Sequence, residues 1–593
     1  MYYVNKLYKK FYYFVWIPLS AIWFYAALAF LSFLLLVTLT LSFSLNIVFS
    51  SPIFKAYPES LYAIETWRPK DNTKIYDKDK KLISEQFNKY HVYLPYEKIP
   101  QKMIDAIVSI EDKKFWQHKG IDVFAILRAF TSLLSHPQQG IKQGASTITQ
   151  QVIKNLVLSN KRTISRKIRE IVLSLYLETF MDKKKILEIY CNSIFLGHGS
   201  YGVAAAAKRY FGKDVSRLDY HETALIAGLF QSPGRYNPTL NPKAAKQRQL
   251  IVLQAMVQAK VLDRKALKKY ENMPLNYDEY KSTYGKIAPY FVDYVIEKTQ
   301  EILEDKNIDI KGSGLQIFTT LDSNLDSHGS AVIENSQDIY EKMSRSLLDH
   351  SQSDHSHNVE ASLIAIDRKS GGIVTMIGGR DYNKNKFNRA AQALRAPGSS
   401  FKTFVYALAL EKGMEWNKQF YVSPVTIGNY RPKTSYSQLF SETTLFESFY
   451  KSINSTAVLV GQKIGINSLV NFSKKLNIKT PLKEEAATFL GGSEVSMLDM
   501  ARAYLSMATN GRKQQVHAIS KIVDRDGKVL YEKKQSDKKV FPPLKEQTYE
   551  LIKEGLKSVV RYGTGYKARH LSGLVAGKAG TTDQARDNWF CGY

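Results

Sequence analysis

The chain has 593 residues and a formal charge of +28, with Lys and Arg in surplus. That length allows several domains with sizeable cores; the charge suits an anionic partner (nucleic acid, phosphorylated lipid or an anionic membrane face) without choosing among them. Only two cysteines are present, Cys191 and Cys591, which argues against a disulfide framework and a cysteine-ligated metal centre.

No charged residue lies between Lys10 and Lys55. The most apolar part, residues 15–48, exceeds the ~20 residues a helix needs to cross a bilayer. Lys6, Lys9 and Lys10 precede it, so residues 1–14 are expected to stay cytoplasmic, with Tyr8, Tyr12 and Trp16 at the interface. A cleaved signal peptide would carry an apolar region of only about 7–15 residues. A helical hairpin would leave the bulk of the chain in the cytoplasm. Segment length and flanking charge favour one crossing, with the remainder outside.

Residues 100–240 read as mostly helical. Met103, Ile104, Ile107 and Ile110 mark an amphipathic helix ending near Glu111 and Asp112. Phe115, His118, Gly120 and Asp122 follow. A carboxylate at a helix end beside aromatic rings can be partly desolvated, which raises its pKa and prepares a general acid or base. The plainer alternative is a solvated helix end with a surface salt bridge. Further on, Lys154, Arg162, Arg166, Lys167 and Arg169 form a basic cluster, ordinarily a solvated face. Arg166 and Glu170, four apart, share one side of a helix. Cys191, in an apolar helical run, reads as a small buried hydrophobe.

Four strings in order carry a resemblance: EDKKFWQHKGID (Glu111–Asp122), QGASTITQQVIKNL (Gln143–Leu156), RKIRE (Arg166–Glu170) and the run Lys184–Lys213. Together they resemble the family 51 glycosyltransferase domain of class A penicillin-binding proteins, over roughly residues 75–240. The resemblance implies a lysozyme-like helical fold. It makes Glu111 the general base that takes the 4-hydroxyl proton of the acceptor sugar; that oxygen attacks C1 of the donor, and lipid pyrophosphate leaves with inversion. Glu170 is the second acid. Lys154, Arg162, Arg166 and Lys167 are expected to neutralise the leaving group, and Asp112, Phe115, His118, Thr147 and Gln151 to line the groove. Lys185–Asn192 matches a fourth motif, with Cys191 where Leu is usual, and is expected to support the site. The apolar run Phe124–Leu134 is either a core helix or, by its place in the family, a flap dipping into the outer leaflet. No cofactor is required on this reading; a divalent cation (Mg or Mn) is allowed as an assistant at the pyrophosphate, and no metal ligands are assigned.

Residues 246–330 read as a helical connector, with helical patterns at 247–259 and 288–303 and no Gly/Ser-rich linker, so the catalytic domains are expected to be held semi-rigidly. Leu315–Asp322 alternates like a strand. Ser351–Asn358 holds two histidines and reads as a solvated polar loop. Ala361–Gly379 reads as strand, turn, strand. Ser399-Ser400-Phe401-Lys402 is an S-x-x-K element opening an apolar helix, Ser452-Ile453-Asn454 is S-x-N, and Lys578-Ala579-Gly580-Thr581-Thr582 is close to K-T-G-T-T, with Ala for Thr. This triplet is the known signature of penicillin-binding proteins and class A β-lactamases. Order and spacing resemble the penicillin-binding transpeptidase fold. The implied roles are Ser399 as nucleophile on a D-Ala-D-Ala carbonyl, Lys402 as its base and Ser452 as proton relay. Asn454 holds Lys402 and the substrate amide; Lys578, Gly580 and Thr581 bind the terminal carboxylate. Family members continue past Tyr593 with at least one more strand and a C-terminal helix, so those are expected to be missing.

The expected architecture is therefore a membrane-anchored multidomain chain. A tail (1–14) and an anchor (15–48) precede a mainly α lysozyme-like glycosyltransferase domain (60–245). The connector (246–330) leads to an α/β (α+β) serine β-lactamase/transpeptidase-like domain (331–593), truncated at its C-terminus. The implied function is peptidoglycan synthesis. Its partners are lipid II, the growing glycan strand, stem peptides and the membrane, with β-lactams as inhibitors and no nucleic acid. A glycan hydrolase would not need the basic pyrophosphate cluster, and a non-catalytic scaffold would not need intact motifs.

Overall fold

The structure is a computed structural model and describes residues 5, 17–50, 61–69, 71–87, 89–128, 146–158, 163–274, 287–306, 308, 310–348, 359–427, 430–432, 440–512, 514–534, 542–582 and 586–593. Arg162, the loop Ser351–Asn358, the end of the apolar run (Ala129, Phe130, Leu133, Leu134) and all of the tail but Asn5 lie outside the described residues. The chain divides into two compact units. The first comprises Met1–Lys70 and Lys89–Tyr280, the second Asp71–Asn88 and Lys281–Tyr593.

Helix α1 (Ile17–Ser50) runs 34 residues, about 50 Å at 1.5 Å per residue, against a hydrocarbon core of about 30 Å. Among the described residues it is the one helix long and apolar enough to cross a membrane, and its most apolar window, Trp23–Thr40, buries nothing against the protein. Ser32, Thr38 and Thr40 donate to carbonyls of their own helix, so their hydroxyls need no water.

The rest of the first unit is a helical cluster built on α2 (Gln101–Glu111), α3 (Ile148–Leu156), α4 (Ile164–Phe180), α5 (Lys183–Ser193), α6 (Tyr220–Leu229) and α7 (Pro242–Gln258). Met103 and Ile107 of α2, Val152 of α3, Leu173 of α4, Leu225 of α6 and Val252 of α7 meet in one core. Helix α6 is buried from His221 to Leu229; its apolar run from Ala224 onward accounts for the burial of its later turns, while Glu222 in its first turn is paired with Lys213 at 2.5 Å. The boundary expected at 245 falls inside α7. Ala245, Val252, Leu253 and Met256 pack into this core, so α7 belongs to the first unit and not to a connector.

The second unit opens with β1 (Thr73–Tyr76) and β2 (Leu82–Gln86). Later come α8 (Pro289–Ile302), β3 (Gln316–Thr319), the hairpin β4 (Leu363–Ile366) and β5 (Ile373–Ile377), α9 (Lys402–Glu411), α10 (Asn454–Ile464) and α11 (Met497–Ala508). The chain continues through β6 (Ile519–Val523), β7 (Val529–Glu532), α12 (Glu546–Tyr562), β8 (Gly577–Thr581) and β9 (Asn588–Gly592). A five-stranded sheet has the order β7-β6-β3-β1-β2; β1 runs parallel to β3 and antiparallel to β2. Strand alternation turns Ile75 and Ile317 inward onto Phe291, Val292 and Val295 of α8. It leaves Tyr76 and Phe318 stacked on the other face, ring centroids 5.2 Å apart. A second core gathers Phe404 and Tyr406 of α9, Val460 of α10, Tyr504 of α11 and Leu556 of α12. Strands β8 and β9 pair antiparallel, with Lys578 opposite Cys591 and Thr581 opposite Asn588.

Candidate active sites

In the first unit, Glu111 is the last residue of α2 and its side chain is 10 % exposed. Gln151 on α3 donates from Nε2 to Oε2 at 2.9 Å, and Arg248 on α7 approaches Oε1 at 3.5 Å. Tyr190 donates to Gln151 Oε1 at 3.1 Å, which turns the amide nitrogen towards the carboxylate. Burial raises the Glu111 pKa, and Asp112 adds to the rise; the Gln151 hydrogen bond, Arg248 and Lys154 oppose it, and the net direction is up. A carboxylate so placed is a stronger base than a solvated one.

Arg248 escaped the sequence reading because it lay in the supposed connector. The signal was present: it falls on the α7 face of Ala245, Val252 and Ala255, all buried, and an arginine on an apolar face needs a partner. Its Nε also donates to the Gly228 carbonyl at 3.4 Å.

The loop after Glu111 is clamped from inside. Asp112, buried, accepts from the Ile148 amide at 3.0 Å and pairs with His118 Nε2 at 3.0 Å. Thr147 caps α3, accepting from Gln150 while its hydroxyl donates to Gly120 O at 2.6 Å. Gly120 has φ +84°, and a Cβ there would lie 2.5 Å from the Ser174 carbonyl oxygen, so only glycine fits. Phe115 is fully buried and meets Trp116 and His118 edge-on. Asp112, Phe115, His118 and Thr147 were expected to line the groove. Here their side chains are spent within the protein, and they hold the loop and the start of α3 in position.

On α4, Glu170 is buried, with Lys167 on Oε1 and Arg166 Nη1 3.7 Å from Oε2. Lys167 also reaches Ser146 Oγ at 2.8 Å. The Nε of Arg166 is buried and has no partner among the described residues. Lys154 on α3 links the two acids electrostatically. Burial lowers its pKa, Arg166 and Lys167 lower it further, and Glu170 and Glu111 pull it up. Glu111, Lys154 and the Arg166–Lys167–Glu170 group thus share one electrostatic neighbourhood. The fourth motif supports it from behind. Glu188, paired with Lys185 at 2.6 Å, accepts from Tyr93 and the Tyr96 amide, and Asn192 bonds the Leu94 backbone on both sides. Cys191 is fully buried, as its sequence context predicts.

The described part of the apolar run departs from a core helix. Val123, Phe124 and Leu127 are exposed.

In the second unit, Ser399 lies in a tight turn, Gly398–Phe401, that runs straight into α9. Lys402, first residue of α9, is fully buried. Its Nζ donates to Ser452 O at 2.8 Å, Ser452 Oγ at 3.2 Å and Asn454 Oδ1 at 2.6 Å. Lys578 on β8, also fully buried, reaches the same Ser452 Oγ at 3.0 Å and Thr564 Oγ1 at 3.5 Å. Two ammonium groups sharing one hydroxyl out of water cannot both stay charged cheaply. Burial, then repulsion from Lys578, holds Lys402 well below the usual lysine range, and burial pushes Lys578 down to about 7. Ser452 itself sits at φ +62°, a left-handed backbone that costs a non-glycine residue on the order of 1 kcal/mol and here presents the hydroxyl between the lysines.

Strand β8 lies directly against the serine turn. A Cβ on Gly580 would be 2.2 Å from the Pro397 carbonyl oxygen, and one on Gly398 would be 2.8 Å from that of Thr581. The two glycines let the backbones touch. Thr581 is exposed, with its hydroxyl 3.2 Å from Asn588 Oδ1. Ser399, Lys402, Ser452, Asn454, Lys578, Gly580 and Thr581 are thereby gathered from one turn, two helix ends and one strand. Thr564 was not foreseen; it precedes the strand in a loop with no motif of its own.

Known proteins match in the same two parts. Residues 79–257 match the transglycosylase family, and residues 361–593 match the penicillin binding protein transpeptidase domain. The chain is 33 % identical to penicillin-binding protein 1A of Aquifex aeolicus (strain VF5), over 92 % of this chain and 84 % of that protein. It is 28 % identical to penicillin-binding protein 1A of Rickettsia typhi (strain ATCC VR-144 / Wilmington), over 88 % and 81 %. The crystal structure of penicillin-binding protein 1A from Haemophilus influenzae has the same fold, with a TM-score of 0.61 at 21 % identity over 89 % of this chain and 87 % of that one. A helical glycosyltransferase unit, a serine transpeptidase unit later in the sequence and an apolar N-terminal helix suited to anchoring both make this chain a member of the class A penicillin-binding proteins, which build peptidoglycan by joining sugars and cross-linking peptides.

Proposed function

We propose that the chain polymerises lipid II through Glu111 and cross-links stem peptides through Ser399. Glu111 takes the proton of the acceptor 4-hydroxyl as that oxygen attacks C1 of the donor. The C1–O bond to the lipid pyrophosphate breaks with inversion. Lys154, Arg162, Arg166 and Lys167 meet the charge released, with Glu170 holding Arg166 and Lys167 in place. The observation that carries this reading is the largely buried Glu111, held by Gln151 and Arg248 in the electrostatic neighbourhood of Lys154, Arg166 and Lys167. No metal ligands are assigned among the described residues there: Glu111 faces Gln151 and Arg248, and Glu170 faces Lys167 and Arg166.

In the second unit a neutral Lys402 takes the Ser399 proton. Ser399 Oγ attacks the D-Ala-D-Ala carbonyl, and the backbone N–H groups of Ser399 and Thr581 receive the oxyanion. Ser452 passes a proton to the leaving D-Ala, Lys578 and Thr581 hold the terminal carboxylate, and an amine of a neighbouring stem peptide resolves the ester. β-Lactams acylate Ser399 by the same route. Helix α1 spans the membrane once with the N-terminus inside, and both units work outside the cytoplasm. Exposed Val123, Phe124 and Leu127 support a flap that dips into the outer leaflet.

Incubation of the detergent-solubilised chain with lipid II tests the first half. Wild type yields polymer and free lipid pyrophosphate, and Glu111→Gln yields about 10²–10⁴-fold less. Polymer at the native rate from the glutamine variant overturns the assignment.

A further inference from the structure

The second unit carries a furrow that neither reaction uses. The face of the five-stranded sheet that bears Phe318 floors a cavity of about 1130 Å³, walled by the turn at Lys369 and Ser370 and by Arg512 and Gln514. Seven lysines and arginines line it against two carboxylates, Asp77 and Glu532. Two of the seven cations are already paired, Lys521 with Glu532 of the lining at 3.2 Å and Lys78 with Asp322 beside it at 2.8 Å. Asp77 is spent on other groups: it is buried and accepts from the amides of Asp79 and Lys81 and from Ser323. Lys80, Lys369, Arg512 and Lys534 are exposed and form no ion pair among the described residues.

A second cavity, of about 430 Å³, shares Arg512 and Gln514 with the first. It adds Lys474 and Lys475, together with Arg502, which is paired with Asp499 at 2.7 Å, and no carboxylate in its lining. The two therefore form one continuous basic track. Cations strung along a track suit negative charge strung along a chain, since a single compact anion would use only a few of them. Lysines, as flexible point charges, tolerate variable spacing. The floor narrows the choice. Gln316, Ser370, Gln514 and Ser520 offer neutral hydrogen-bonding groups between the cations, and Phe318 presents a ring stacked on Tyr76. Hydroxyls and an apolar ring face are what a sugar offers. An acidic polypeptide satisfies the cations but leaves the aromatic floor without a purpose.

We infer, on the footing that the first unit polymerises glycan, that this furrow holds a strand of newly made peptidoglycan. Its sugars lie over Phe318 and its stem-peptide carboxylates lie on the lysines and arginines. The furrow is a holding site for product, separate from both reacting centres.

The test uses the full chain in detergent, acylated at Ser399 with penicillin so that the transpeptidase centre is closed. The probe is a fluorescent, soluble peptidoglycan strand with intact stem peptides, followed by anisotropy at low and high salt. Lys369→Glu, Arg512→Glu and Lys534→Glu combined are expected to weaken binding at least tenfold and to flatten its salt dependence, and strands stripped of stem peptides are expected to bind wild type as weakly. The same variant is expected to polymerise lipid II and to react with penicillin at wild-type rates, which shows that it is folded and keeps the polymerase assignment apart from this one. Unchanged strand binding by the variant overturns the inference. So does equal or tighter binding of poly-glutamate, which gives the furrow to an acidic protein, and so does loss of both activities in the variant, which makes these residues structural.

Discussion

Glu111 is pulled two ways. Burial lifts its pKa while Arg248, Gln151 and Lys154 draw it down. A general base works only when ionised, so polymerisation falls as pH drops through this raised value. Arg248→Met removes a cation that favours the ionised form, so the acid limb of the pH–rate profile moves to higher pH; an unmoved limb would show that Arg248 does not act on the base. The buried lysines give an opposite case. Lys578 is depressed from 10.5 to about 7 in the folded state, so between those values the unfolded chain binds the extra proton and stability rises with pH. Thermal unfolding of the second unit is expected to shift upward from pH 7 to 9.5 in wild type, and less so in Lys578→Met. The sequence disclosed the residues whose partners sit nearby along the chain: Ser399 with Lys402, and Arg166 with Glu170. It hid Arg248, whose meaning depends on Glu111 137 residues away, and it offered Asp112, His118 and Thr147 as groove residues, since a motif shows which side chains belong together but not which way they face.

At the level of elements, periodicity was the better guide. The apolar spacing of α2, the buried α9 and the alternating β3 were all legible because helix and strand repeats are written locally. Helix α7 was legible as a helix but not as part of the first unit, because its Lys- and Gln-rich sequence resembles a surface connector and its buried face shows only against α2 and α6. The close seating of β8 on the serine turn was invisible, being a contact between backbones. It makes a sharp prediction. Gly580→Ala must push β8 from Pro397, so acylation by a fluorescent penicillin is expected to fall more than tenfold while lipid II polymerisation is retained. Normal labelling of that variant would mean that the turn tolerates the displacement.

Across the whole molecule, composition and one apolar helix indicated an anchored, basic, multidomain chain, and the motifs gave two enzymes in order. What the sequence could not convey is that β1 and β2, which precede the helical unit along the chain, complete the sheet of the unit that follows it. Strand pairing of this range carries no local mark. Ile75 is fully buried in that sheet's core, so Ile75→Asp places an unpaired charge there, at a cost of about 3 kcal/mol or more. The expected result is loss of penicillin labelling at the far end of the chain with glycan polymerisation by the neighbouring unit preserved.

That hairpin also sets a timetable. It leaves the ribosome about 230 residues before β3, its partner, exists, which at 5–20 residues per second is a wait of roughly 10–50 s. For most of that interval, until α8 is made, Ile75 and Ile83 lack the side chains they pack on in the folded unit, and an unclaimed strand edge is open to any other chain. Slower translation would lengthen the exposure of this short segment.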